Sequence, residues 1–155
     1  YESMPSLVGS EMCIRDSALG ALDSAVGHSI NRARASGELT GKLHSSFFTD
    51  VVDTTWSCRR ILLVGAGKAD GYTTSRASTV AATAGGVARE RGAGRLALVC
   101  RERGESSAMV QASAEGVLLG SFRDTRFKSE NAESTLVTGV ELVVVEQQVE
   151  QYSLQ

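Results

Sequence analysis

Residues 60–71, Arg-Ile-Leu-Leu-Val-Gly-Ala-Gly-Lys-Ala-Asp-Gly, hold the spacing that comes nearest to chemistry in this 155-residue chain. An apolar run stops at Gly65 and Gly67, Lys68 follows, and Gly71 precedes a helical stretch. A glycine turn between a strand and a helix can bring backbone N–H groups onto a phosphate. A dinucleotide fingerprint needs G-x-G-x-x-G, whereas Gly65, Gly67 and Gly71 are spaced G-x-G-x-x-x-G, one residue too long. A phosphate-binding P-loop needs G-x-x-x-x-G-K-[ST]. Leu62 stands where its first glycine belongs and Ala69 where its hydroxyl belongs, so the magnesium ligand is lost. The segment reads as a structural turn. A nucleotide or ADP-ribose-binding α/β module is the alternative, since the next strand ends in Cys100-Arg101-Glu102-Arg103, an acid and arginines placed where a ribose is read.

Other reactive side chains do not assemble. No serine lies in G-x-S-x-G, and His28 and His44 have no second ligand at metal spacing and no triad partner. Cys58 and Cys100 border or end apolar runs and read as core thiols, and Cys13 has no partner spacing. Three cysteines without a disulfide framework point to a reducing, cytoplasmic setting. A net charge of −2 without a basic block disfavours nucleic acid, and no apolar run reaches the ~20 residues of a membrane span.

The elements that position these residues follow from periodicity. Leu19, Leu22, Val26 and Ile30 predict one helix over 18–36, closed by Gly37. Residues 37–46 read as a loop and 47–55 as a short strand, with Trp56 packing at a sheet margin. Ile61–Val64 reads as a buried central strand. Thr73 or Thr74 caps a helix to about Arg91 whose buried stripe is Ala77, Val80, Ala84 and Val87. Gly85 and Gly86 inside it predict close approach to a sheet or a break, with packing preferred. Arg95–Cys100 is a second buried strand, completing a βαβ unit. A further helix runs from Ser106 or Ser107 to about Leu119, with Met109, Ala112, Gly116 and Leu119 on one face and Gly120 as its exit. Gly139–Val145 is the last strand. The fold class is α/β, a mixed, mostly parallel sheet with flanking helices in three layers.

Ser6–Ser17, Ser-Leu-Val-Gly-Ser-Glu-Met-Cys-Ile-Arg-Asp-Ser, resembles a translated transposase-type sequencing adapter. The read CTC GTG GGC TCG GAG ATG TGT ATA AGA GAC gives Leu7 to Asp16 in register. Residues 1–17 are therefore set apart as a non-native tail, and the fold is expected to lack its first strand. Their removal takes away Glu2, Glu11, Asp16 and Arg15 and leaves a neutral balance.

Ala114–Ser129, AEGVLLGSFRDTRFKS, resembles the E-G-x-x-L-x-x-[YF]-x-[FY]-x-x-[YF]-K segment of the amino-terminal domain of leucyl (cytosol) aminopeptidases. Glu115, Gly116, Leu118 or Leu119, Phe122, Phe127 and Lys128 fill its positions, and Asp124 replaces a frequent aromatic. Upstream, ILLVGAGK is similar to that family's strand ending V-G-L-G-K, which covers Gly65, Gly67 and Lys68, with Ala66 for leucine. The resemblance implies a macrodomain-like, non-catalytic domain over 18–148, with 149–155 beginning a linker. It implies a missing carboxyl-terminal catalytic domain that carries two divalent metals (zinc, manganese or magnesium), and a hexameric parent. No catalytic, metal or cofactor residue is carried over to this chain. Gly65, Gly67, Lys68, Glu115, Gly116, Phe122, Phe127 and Lys128 are read as structural, with Phe122 and Phe127 as apolar anchors in the core or between domains.

Overall fold

The computed structural model describes residues 3–5, 16–101, 106–122 and 137–145. Its elements are, in order, β1 (Ser3–Pro5), α1 (Asp16–Ala25), α2 (Ser29–Ala35), β2 (Ser46–Asp50), β3 (Arg60–Val64), α3 (Thr74–Glu90), β4 (Arg95–Arg101), α4 (Ser106–Ser121) and β5 (Gly139–Val145). β4 lies between β1 and β5, parallel to both, and β2 pairs antiparallel with β3. β1 also runs beside β3, which sets the two ladders next to each other. The described strands thus form a three-stranded parallel sheet and a two-stranded antiparallel one, side by side, with parallel pairing dominant.

The period-two alternation of a strand puts a helical layer on each side of these two sheets. In β3, Ile61 and Leu63 pack with Val26, Ile30, Ala33, Leu39, Phe47 and Cys58 under α1 and α2. Leu62 and Val64 point the other way, to Val80, Ala81, Ala84, Ala88, Leu96, Leu98 and Val117 under α3 and α4. Adjacent Phe47 and Phe48 divide between the same two faces. β3 is buried on both sides, which is why its sequence reads as an unbroken apolar run.

The single helix expected over 18–36 is two helices. Gly27 and His28 both take left-handed backbone conformations, with φ of 61° each, and break it between Ala25 and Ser29. The reason lies in Asp23, which is 2% exposed. Its carboxylate accepts from the Asn31 backbone N–H at 3.0 Å, from Asn31 Nδ2 at 2.7 Å and from His28 Nδ1 at 3.0 Å. That network satisfies orphan donors at the start of α2 better than helix continuation would. The Val52 and Asp53 amides then dock on the Ala25 carbonyl, tying the segment after β2 to the end of α1.

β2 ends at Asp50 instead of Thr55, and residues 54–57 turn into β3. α3 begins as expected, with Thr73 as its cap accepting from the Arg76 N–H, and its buried residues include Ala77, Val80 and Ala84, with Val87 packed against them. The two α3 glycines do not meet the sheet. A Cβ on Gly85 would stand 2.5 Å from the Val117 carbonyl oxygen of α4. Gly116 does not approach the sheet either, because it faces the Ser78 backbone of α3, and Gly120 faces Ala82. Gly120 lies inside α4, which continues to Ser121. Small residues on both helices let their backbones come into direct contact.

That contact fixes how α4 is rotated. Ser113, Gly116 and Val117 are buried, whereas Leu119, expected to share a face with Gly116, is 73% exposed. The two glycines can press flat on α3 only if this side of the helix turns outward. Ser3–Pro5, within the stretch set apart as a tail, pairs with Ala97–Val99, and Asp16 and Ser17 open α1. Residues 6–15 lie outside the described residues.

Candidate functional site

The glycine turn is the first candidate. β3 delivers the chain to Gly65, Gly67 has a φ of 73°, and a short 3₁₀ turn, Ala69–Gly71, precedes α3. The amides of both glycines after β3 already have partners. The Gly65 N–H donates to the Ser45 carbonyl at 2.7 Å and the Gly67 N–H to the Gly41 carbonyl at 3.0 Å. A Cβ at Gly65 would overlap the Lys42 carbonyl oxygen and Ser45 Oγ, so glycine is required by close packing against the 41–45 loop. That loop is held in turn by Ser45, whose N–H and hydroxyl both donate to the Lys42 carbonyl, and by His44 Nδ1 paired with Thr83 Oγ1 at 3.0 Å. The Arg76 guanidinium fills the remaining space against Gly67 and Gly71. A phosphate cradle needs free N–H groups converging on open space. Here two of them point at carbonyl oxygens under a packed loop, and Lys68 is exposed beside it. The turn joins layers and does not grip an anion.

The histidines and cysteines are placed separately. His28 serves Asp23, and His44 belongs to the loop just described. Cys58 is buried beneath α1 and α2, and Cys100 lies on β4. No group of three or more His, Cys, Asp or Glu side chains that could hold a metal occurs among the described residues. Asp23 is the most constrained carboxylate. Burial pushes its pKa up, but the Asn31 amide and the His28 ring outweigh this and hold it below the ordinary value of 3.8. Because a carboxylate only accepts, the pairing puts the His28 proton on Nδ1. Asp23 is a structural cap.

The second candidate is the outward side of α4. Leu118, Leu119 and Phe122 are 62%, 73% and 69% exposed, and the rest of the face carries Gln111 and Glu115, which bond to each other at 2.9 Å. Arg89 from α3 donates to the Gly120 and Phe122 carbonyls, at 3.3 and 2.6 Å, and so holds the end of the helix in place. Of the motif residues singled out above, Glu115, Gly116 and Phe122 fall together on this helix end, Gly116 inward and the other two outward. Gly65, Gly67 and Lys68 are on the separate turn. Phe127 and Lys128 lie outside the described residues, as does Asp124. Leu119 turns outward although helical spacing sets it on one face with Gly116, which is buried. The G-x-x-x-G spacing of Gly116 and Gly120 is the signal that points to the helix contact.

Residues 8–131 match the family model described as the cytosol aminopeptidase family, N-terminal domain. A probable cytosol aminopeptidase of Trichormus variabilis (strain ATCC 29413 / PCC 7937) is 33% identical over 113 residues, covering 72% of this chain and 23% of the relative. Another, of Microcystis aeruginosa (strain NIES-843 / IAM M-2473), is 31% identical over 128 residues, covering 83% and 25%. The chain therefore spans about a quarter of the length of these relatives. Among solved structures, a variant of tomato leucine aminopeptidase superposes with a TM-score of 0.67 at 23% identity, over 94% of this chain and 29% of that one. The bottromycin maturation enzyme BotP in complex with Mn gives 0.61 at 16% identity, over 91% and 26%. At these identities the structures show a common fold.

Proposed function

The chain belongs to the cytosol aminopeptidase family, as its N-terminal domain, and from that premise we propose that it is the non-catalytic part of a two-domain, metal-dependent leucyl aminopeptidase. The observation that carries this reading is the mismatch of lengths. The N-terminal-domain model takes up most of this chain, while the curated relatives extend about four times as far. Metal-assisted peptide hydrolysis needs acidic and histidine ligands converging on one or two ions that activate a water. The described residues do not fit such a centre, and no step of the reaction is assigned to them. In this proposal two divalent ions (zinc, manganese or magnesium) belong to the carboxyl-terminal domain, which is this domain's principal partner. The domain helps position the subunits of a cytoplasmic homo-hexamer and limits access to the catalytic site.

The test is hydrolysis of leucine p-nitroanilide with added manganese. The 155-residue chain is expected to show no turnover, and the two-domain protein to release p-nitroaniline. Turnover by the chain alone overturns the assignment. Nucleotide binding draws no support from the glycine turn, whose Gly65 and Gly67 amides are occupied.

A further inference from the structure

The outward face of α4 is built differently from the other surfaces described. Across its 16 residues the helix has one charged side chain, Glu115, and that carboxylate already accepts from Gln111. A helix that one side packs and the other side leaves to water ordinarily carries charges on its wet side, and one that is apolar nearly all round is covered. Here the inner side is closed against α3 by Gly116 and Gly120, and the outer side ends in Leu118, Leu119 and Phe122, each more than half exposed. Arg89 fastens the last turn of this face through the Gly120 and Phe122 carbonyls.

We infer that this face, centred on Leu118, Leu119 and Phe122, is the docking surface for the domain that follows β5 in the longer protein, a partner presenting an uncharged apolar patch. The inference rests on the two-domain reading above and adds to it the place of contact. Two observations choose this occupant. β5 runs parallel to β4 with Val145 opposite Arg101, and α4 starts five residues after Arg101. β5 therefore ends at the sheet edge where α4 begins, and a domain tethered there is one helix length, ~24 Å, from Leu118, Leu119 and Phe122, within reach along the helix. The second is area. A helix of 16 residues is about 24 Å long and about 10 Å across, so its outer half offers on the order of 300–400 Å². That falls short of the roughly 800 Å² per partner of a stable free dimer. It suffices for a contact between domains of one chain, which begins near 600 Å² in total, because the tether supplies an effective concentration near the millimolar range. Gln111 and Glu115 form its polar rim.

The experiment compares hydrogen exchange over α4 in the 155-residue chain and in the two-domain protein, each as wild type and with Leu119→Glu plus Phe122→Glu. Expected are a monomeric chain whose melting temperature the two substitutions leave within about 2 °C, and amides at the end of α4 that exchange at least tenfold slower in the two-domain protein. The substitutions should abolish that slowing. Equal exchange in the two proteins overturns the inference. So does a chain that dimerises on its own until Leu119→Glu is introduced, which makes a second copy the occupant. A chain destabilised by the substitutions also overturns it, since part of the chain itself then covers the face. A two-domain protein that hydrolyses leucine p-nitroanilide without protecting α4 sinks the docking face alone. Protection of α4 without hydrolysis keeps the face and overturns the aminopeptidase reading.

Discussion

Gly116 of α4 rests on the backbone of Ser78 in α3 so closely that a Cβ would overlap the Ser78 carbonyl oxygen. One turn later Gly120 repeats the contact on Ala82, and Gly85 answers from α3 against Val117 and Ser121. The helices touch through backbone atoms, so neither has a flexible side chain to yield. Gly116→Ala is therefore expected to destabilise the fold by about 1–3 kcal/mol, the usual cost of overpacking. At this chain length that is a fall in melting temperature of roughly 2–12 °C. Gly20 is the control. It sits in α1 with nothing within 4 Å of its Cβ position, so Gly20→Ala should raise stability by about 0.5–1 kcal/mol through helix propensity. Thermal melts of the two variants check both signs, and equal effects would count against a backbone contact between α3 and α4.

The same interlock shows what sequence reading reaches and where it stops. β3 was legible almost to the residue, because a strand buried on both faces must be apolar without interruption, and β5 was legible from its β-branched run. The cap was legible to within one residue, as Thr73 or Thr74, because the partner of Thr73, the Arg76 N–H, is only three residues away. The glycines of α3 and α4 were visible as small faces, but their spacing does not say whether a sheet or a helix lies opposite. The break at Gly27 and His28 was hidden for a similar reason. Leu19 to Ile30 keeps helical period across it, and the residue that decides the matter, Asp23, acts through Asn31, eight positions on. At the glycine turn, counting residues argued against a phosphate site. The structure adds a cause that counting does not contain, the 41–45 loop lying over the amides.

Gly65 provides a test of that loop. Its Cα packs against the Lys42 carbonyl and Ser45 Oγ, so Gly65→Ala must displace the 41–45 loop or the end of β3. A loss of about 1–3 kcal/mol is expected. Lys68→Ala, on an exposed side chain three positions on, should change stability by less than about 0.5 kcal/mol. Calorimetric titration of the wild type with ADP-ribose and with NAD should give no sub-millimolar binding. Binding that Lys68→Ala weakens would restore the turn as a ligand site.

Residues 1–17 carry two claims that one experiment separates. We propose that Ser6–Ser17 derives from adapter sequence. The three-residue β1 nevertheless pairs with β4, and the family match begins at residue 8. Reading the encoding DNA should return the ten adapter codons for Leu7 to Asp16, and any other codons there refute that origin. Deleting residues 1–15 separates origin from structural role. If β1 contributes to the sheet, the melting temperature drops by several degrees whatever the codons are. If it does not, the truncated chain melts within about 2 °C of the full one.

Asp23 sets the acid limit of the α1–α2 corner. Its carboxyl titrates below the ordinary 3.8 in the folded chain, because the Asn31 and His28 donors outweigh the effect of burial. Between the two values the unfolded chain holds the proton and the folded chain does not, so stability rises with pH through that window. The contribution is complete above about pH 5, shrinks as pH falls past the unfolded value near 3.9, and is gone once the folded carboxyl is protonated. Denaturant melts of the wild type between pH 6 and pH 3 should show this loss. Asp23→Ala leaves the Asn31 donors without their buried acceptor and should cost about 1–3 kcal/mol at pH 7, with a smaller difference from the wild type at pH 3. Because the Asn31 contacts open α2 and the Ala25 carbonyl receives the Val52 and Asp53 amides, the same variant should speed hydrogen exchange at Asn31, Val52 and Asp53 together. If exchange quickened at Asn31 alone, the corner would not be one cooperative unit. A wild type whose stability stayed flat from pH 6 to pH 3 would remove Asp23 from this role.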